Sequence, residues 1–126
     1  MTHSELPADV RRFILTSIPS VPYLEAVLLL RAETQKAWDG QQLARRLYVP
    51  ERTGMELVAQ LRSSGVAEAA GAEGWVRYAP TGELADVLDR LAQAYASDLV
   101  TVTGLIHSRI DRRAQQFADA FRFRKE

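Results

Sequence analysis

The sequence predicts a mainly helical α+β domain, in which a run of amphipathic helices is interrupted once by a small β-hairpin. Three observations predict it. Apolar side chains recur at intervals of three and four along most of the chain. Proline or an Asp-Gly pair punctuates that pattern at Pro19, Pro22, Asp39-Gly40 and Pro50. Between residues 66 and 79 the helical period gives way to two short extended candidates joined by Gly71-Ala72-Glu73-Gly74.

The first helix is expected over residues 4–18, with Ser4 near its cap, Pro7 in the first turn and Val10, Phe13, Ile14 and Ile18 facing inward. A second helix follows over residues 23–36. Its Leu24, Val27, Leu28, Leu30 and the adjoining Ala37 cover more than one face, as in a mostly buried helix. Asp39 is placed to cap a third helix, 41–47, whose inner stripe is Leu43, Ala44 and Leu47. Tyr48-Val49-Pro50 stops it. The fourth helix covers 51–63 and turns Met55, Leu57, Val58 and Leu61 inward, and Gly65 supplies a left-handed stop. The extended segments are 66–70 and 75–79, the second rich in strand-favouring Trp75, Val76 and Tyr78.

From Leu84 to Ile106 the three-and-four spacing continues through Leu88, Leu91, Tyr95, Leu99 and Val102. The β-branched residues 100–103 predict a kink there, and Ser108 with Asp111 predicts a fresh final helix over 109–121. The chain therefore reads as a single domain: an N-terminal helix (4–20), a central unit (22–80) and a C-terminal helical arm (81–126).

Composition narrows the function classes. The 126 residues are 47% hydrophobic and 25% charged, with 16 basic against 16 acidic side chains, an ordinary globular balance. Without cysteine there is no disulfide scaffold, thiol nucleophile or thiolate zinc site. His3 and His107 are too far apart in sequence for a histidine-rich metal site, and neither metal nor cofactor is expected. No apolar run approaches the ~20 residues that span a bilayer, and no basic-then-apolar leader is visible, so the expectation is a cytoplasmic protein with no membrane partner.

No enzyme is read. Ser63, Ser64 and Ser108 have no neighbouring base, and Gly71 and Gly74 lack the helix and lysine of a phosphate loop. His107 and Asp111 do not complete a dyad, and Glu83, Asp86 and Asp89 read as a solvated helix face. Trp38 and Trp75 are expected to pack at the edge of the core.

The stretch DGQQLARRLYVPERTGMELVAQLRSSGV, followed by GWVRYAP, resembles the winged helix-turn-helix of small MarR-like bacterial transcriptional regulators. The resemblance covers residues 22–80 and rests on Leu43, Ala44, Leu47 and Val49 before the turn and Leu57, Val58, Leu61, Gly65 and Val66 after it. It implies double-stranded DNA as partner, with the second helix of the motif in the major groove. Carried over residue by residue, the groove-facing candidates are Arg52, Thr53, Glu56 and Gln60. Gln41, Gln42, Arg45 and Arg46 would lie on the preceding helix, and Arg77 on the wing. Glu51, Glu56 and Glu73 favour the alternative, a winged-helix protein–protein interaction module without DNA binding.

A homodimer is expected through the arm, along Leu91, Tyr95, Leu99, Val102 and Ile106, because so long an apolar stripe exceeds what one small core hides. The acidic residues 81–100 and the basic residues 101–126 would favour antiparallel pairing. The tail Phe121-Arg122-Phe123-Arg124-Lys125, with three basic residues, is short for tethering to a membrane or to nucleic acid.

Overall fold

The computed structural model describes residues 6–108. The chain is mainly helical with a small antiparallel three-stranded sheet. In order, the elements are α1 (Ala8–Ser17), α2 (Val21–Ala32), β1 (Ala37–Trp38), α3 (Gly40–Leu47), α4 (Glu51–Ser63), β2 (Ala67–Ala69), β3 (Val76–Tyr78) and α5 (Gly82–Ser97). A further helix, α6, runs over Leu99–Ser108. Among the described residues no single helix is long and apolar enough to cross a membrane. The expected cap Ser4, the expected final helix 109–121 and the basic tail lie outside the described residues.

The chain divides into two compact units, and the division falls within α5. One is Val21–Asp89; the other joins the N-terminal residues through Ser20 to those from Arg90 onward.

In the Val21–Asp89 unit, α2 buries Tyr23, Leu24, Ala26, Val27 and Leu30 along one broad stripe, and its other residues as far as Arg31 are half-buried. It ends at Ala32, earlier than the spacing suggested. Tight turns follow, with Glu33 N–H donating to the Leu30 carbonyl (3.3 Å) and Lys36 N–H to that of Glu33 (3.0 Å). Ala37 consequently belongs to a strand. β1 is an edge strand of two residues, and the sheet order is β1-β3-β2. Its register pairs Ala37 with Arg77 and Trp38 with Val76, and β2 pairs Glu68 with Arg77. The expected two-stranded hairpin is thus a three-stranded sheet. Alternation puts the buried Trp38 and Val76 on one face and Arg77 on the other.

The α3–α4 pair is closed by glycine. A β-carbon on Gly54 would collide with the Gly40 carbonyl oxygen and sit 3.0 Å from the Ala44 β-carbon. One on Gly40 would lie 2.8–2.9 Å from Met55. The helices therefore meet backbone to backbone, and this corrects two expectations. Gly54, Leu57, Val58 and Leu61 are the buried residues of α4, whereas Met55 is pushed to the rim and is 63% exposed. Leu43 is buried, but Leu47, one turn beyond the close approach, is only half-buried. The caps are local chemistry. Asp39 Oδ1 accepts the Gln42 N–H at 2.9 Å, and Gly65 takes φ +85° after α4.

In the other unit, α1 starts after Pro7, which has no side-chain cap, and buries Val10 and Ile14. Arg90 pairs with Asp9. The long helix expected through the arm is two helices, and the break falls at Asp98 rather than at residues 100–103. Asp98 accepts from Thr101 N–H (3.2 Å) and from Thr101 Oγ1 (2.6 Å), satisfying the start of α6 as an N-cap does.

Candidate nucleic-acid interface

α3, the turn after it and α4 form one surface of the Val21–Asp89 unit. Asp39 fixes the start of α3, leaving Gln41 exposed. The half-buried Gln42 has an Oε1 with no hydrogen-bond partner among the described residues. Arg45 and Arg46 follow in the last turn, where the negative end of the helix dipole favours cations.

The turn places a large aromatic side chain in water. Tyr48 is 94% exposed with φ +58° and ψ +45°. Its N–H closes α3 onto the Ala44 carbonyl, as does that of Val49 at 3.1 Å. A left-handed conformation costs a non-glycine residue about 1–2 kcal/mol, and an exposed ring recovers nothing by packing. Gln41, Arg45, Tyr48 and Glu51 line a shallow groove at this point. Sequence reasoning treated Tyr48 only as part of a stop signal. The available clue was the absence of glycine or asparagine at a helix end that needs a positive φ.

On α4, Arg52, Glu56 and Gln60 are exposed and Thr53 is half-buried. Arg52 is not a free cation, since its Nε lies 4.0 Å from Glu56 Oε2. Pairing of this kind between exposed side chains is weak, but it places a carboxylate beside the one basic residue of the first turn. Arg77 stands on the sheet face opposite Trp38, half-buried, with its Nε unpartnered among the described residues.

Of the four arginines named from the sequence, Arg45 and Arg46 lie on α3, Arg52 on α4 and Arg77 on β3. Arg46 joins a residue that sequence reasoning missed. Lys36 Nζ lies 4.1 Å from the centroid of the Trp38 ring and the Arg46 guanidinium carbon 5.6 Å from it.

No protein-family model, no curated protein and no solved structure matches the chain.

A second concavity adjoins the first. Among the described residues, the charged groups that line it are all acidic, Asp39, Glu51 and Glu73, around the exposed Met55 and the half-buried Trp75. Among the described residues no group of three or more His, Asp or Glu is placed to hold a metal ion.

The stripe expected to pair two chains is used differently. Leu91, Val102 and Ile106 are fully buried within one chain, Tyr95 is half-buried, and Leu99 is 48% exposed. Among the described residues of the arm, only Leu99 and its exposed neighbour Val100 offer substantial apolar surface. The premise that one chain is too small to cover the stripe does not hold for its buried members.

Two tyrosines in the Val21–Asp89 unit have raised pKa values. Burial pushes the Tyr23 hydroxyl up, opposed by its hydrogen bond with Ser64 Oγ (2.7 Å). Burial also raises that of Tyr78; nearby Arg31 opposes the rise and Asp89 adds to it. Those two charges are themselves paired at 2.9 Å.

Proposed function

We propose that this chain is a DNA-binding transcriptional regulator of winged helix-turn-helix type, resembling the small MarR-like bacterial regulators. The observation that carries the reading is the α3–turn–α4 surface. Its inner side is closed by Gly40 and Gly54, while its outer side leaves Gln41, Arg45, Arg46, Tyr48, Arg52 and Gln60 exposed. In this reading α4 enters the major groove, where Thr53 and Gln60 supply hydrogen-bonding groups to base edges. Arg45 and Arg46 contact phosphates, and the β2–β3 hairpin acts as the wing.

The regulator acts as a homodimer in this proposal, because two-fold symmetry presents two α4 helices to a pseudo-palindromic site. With Leu91, Val102 and Ile106 occupied inside each chain, Leu99 and Val100 are the described arm residues left for that contact. The chain carries no catalytic function in this reading.

One observation favours a second reading. The cleft around Met55 and Trp75 is lined by carboxylates with no basic residue beside them among the described residues, which suits a basic protein segment better than a phosphate backbone. Selection from a random duplex library at two salt concentrations separates the two. Enrichment of a defined site, weakening as salt rises, supports the regulator. Recovery without enrichment at either salt favours the protein-interaction module.

A further inference from the structure

Lys36 ends the turn before β1, Trp38 lies on that edge strand, and Arg46 comes from the last turn of α3. The fold brings both cations onto one indole, at 4.1 Å and 5.6 Å from its centroid. Trp38 is fully buried, so the two side chains lie over a fixed plate. Cation–π attraction restrains two otherwise rotamer-rich side chains. Neither cation has a carboxylate within ion-pair distance among the described residues, whereas Arg31 and Arg52 in the same unit do. The neighbouring Asp39 carboxylate accepts the Gln42 N–H at the start of α3. Two cations anchored on one ring, with no carboxylate within ion-pair distance among the described residues, leave their charge available to an anion.

The geometry points to a phosphate-binding site formed by Lys36 and Arg46 on the Trp38 ring, taking the phosphodiester backbone of duplex DNA. It rests on the DNA-binding reading above and adds Lys36, beside β1, to the phosphate contact assigned there to Arg46. Arg52 has Glu56 Oε2 at 4.0 Å, whereas among the described residues Lys36 and Arg46 have no carboxylate within ion-pair distance. Because both address one short stretch of backbone, they set the position of α3 on the duplex and carry no base preference. Trp38 is a positioning residue that touches no DNA.

The test is the salt dependence of duplex binding by the full chain, followed by fluorescence anisotropy with a labelled double-stranded oligonucleotide. Each phosphate contact contributes about 0.9 to the slope of log Kobs against log salt. Lys36→Gln and Arg46→Gln are each expected to lower the slope by about 0.9, and the double variant by about 1.8. Arg46→Lys retains the slope because the charge remains. Arg62→Gln, in the last turn of α4, leaves it unchanged. Circular dichroism of each variant verifies the fold, and the exposed Arg46→Lys change keeps the comparison available if a glutamine variant is unstable. Wild-type binding with unchanged slopes in both glutamine variants overturns this site and leaves the DNA reading standing. Failure of the wild-type chain to bind duplex at low salt overturns that reading and the site with it.

Discussion

Gly54 packs so closely on Gly40 that the Gly40 carbonyl oxygen occupies the space where a Gly54 β-carbon would be. This contact sets the spacing of α3 and α4, and through it the surface assigned to DNA. Alanine in a helix interior is normally better than glycine by about 1 kcal/mol. At Gly54 the sign reverses, because the obstacle is backbone and cannot rotate away. Gly54→Ala is expected to destabilise the chain by about 1–3 kcal/mol in urea unfolding. Gly104, also helical but with open space where a methyl group would stand, is the internal comparison. Gly104→Ala is expected to stabilise by about 0.5–1 kcal/mol. Equal effects at the two sites would contradict the close-approach account.

Tyr48 combines a strained backbone with 94% exposure. Tyr48→Gly relieves the strain and is expected to raise stability by about 1 kcal/mol, while weakening duplex binding if the ring touches DNA. Such a trade is the signature of a residue retained for function. A variant that gains stability and binds DNA as tightly as the parent would remove Tyr48 from the interface.

Much of the Val21–Asp89 unit is legible in the sequence because its signals are local. The Asp39 cap, the bounds of α4 and the Gly65 stop each follow from a few adjacent residues. β1 is not legible in this way. Two residues have no period, and Ala37 and Trp38 become a strand only by pairing with Arg77 and Val76, far along the chain. Met55 misled because its spacing suits the interior, yet backbone contact at Gly54 takes that place. The candidate site is partly legible for the same reason. Exposed positions on α3 and α4 follow from helical period, whereas the meeting of Lys36 with Arg46 depends on the sheet edge that periodicity could not supply.

Asp98 divides the arm into α5 and α6. Asp98→Ala removes the acceptor for Thr101 N–H and Oγ1 and is expected to cost about 1 kcal/mol. Asp98→Asn, also a good capping residue, should recover most of that loss. Thermal unfolding of the two variants reads the difference, and an identical loss in both would assign the effect to charge rather than to capping.

The raised pKa values of Tyr23 and Tyr78 make a statement about alkaline stability. A phenol whose folded-state pKa exceeds its unfolded value holds its proton more tightly when folded. Its contribution is therefore intact below about pH 10 and is lost as pH rises through the folded value. Melting temperature is expected to fall above about pH 10, and less steeply in Tyr23→Phe/Tyr78→Phe. A decline of the same steepness in that variant would place the alkaline transition elsewhere.

The most direct measurement for the central claim is amide chemical-shift mapping of the labelled chain titrated with a duplex oligonucleotide at low salt. The account predicts shifts concentrated at Lys36 and from Gln41 to Gln60, with Arg45, Tyr48 and Thr53 among the largest, and little change along α1. Shifts confined to residues outside the α3–α4 surface, or no shift at any duplex concentration, would contradict it.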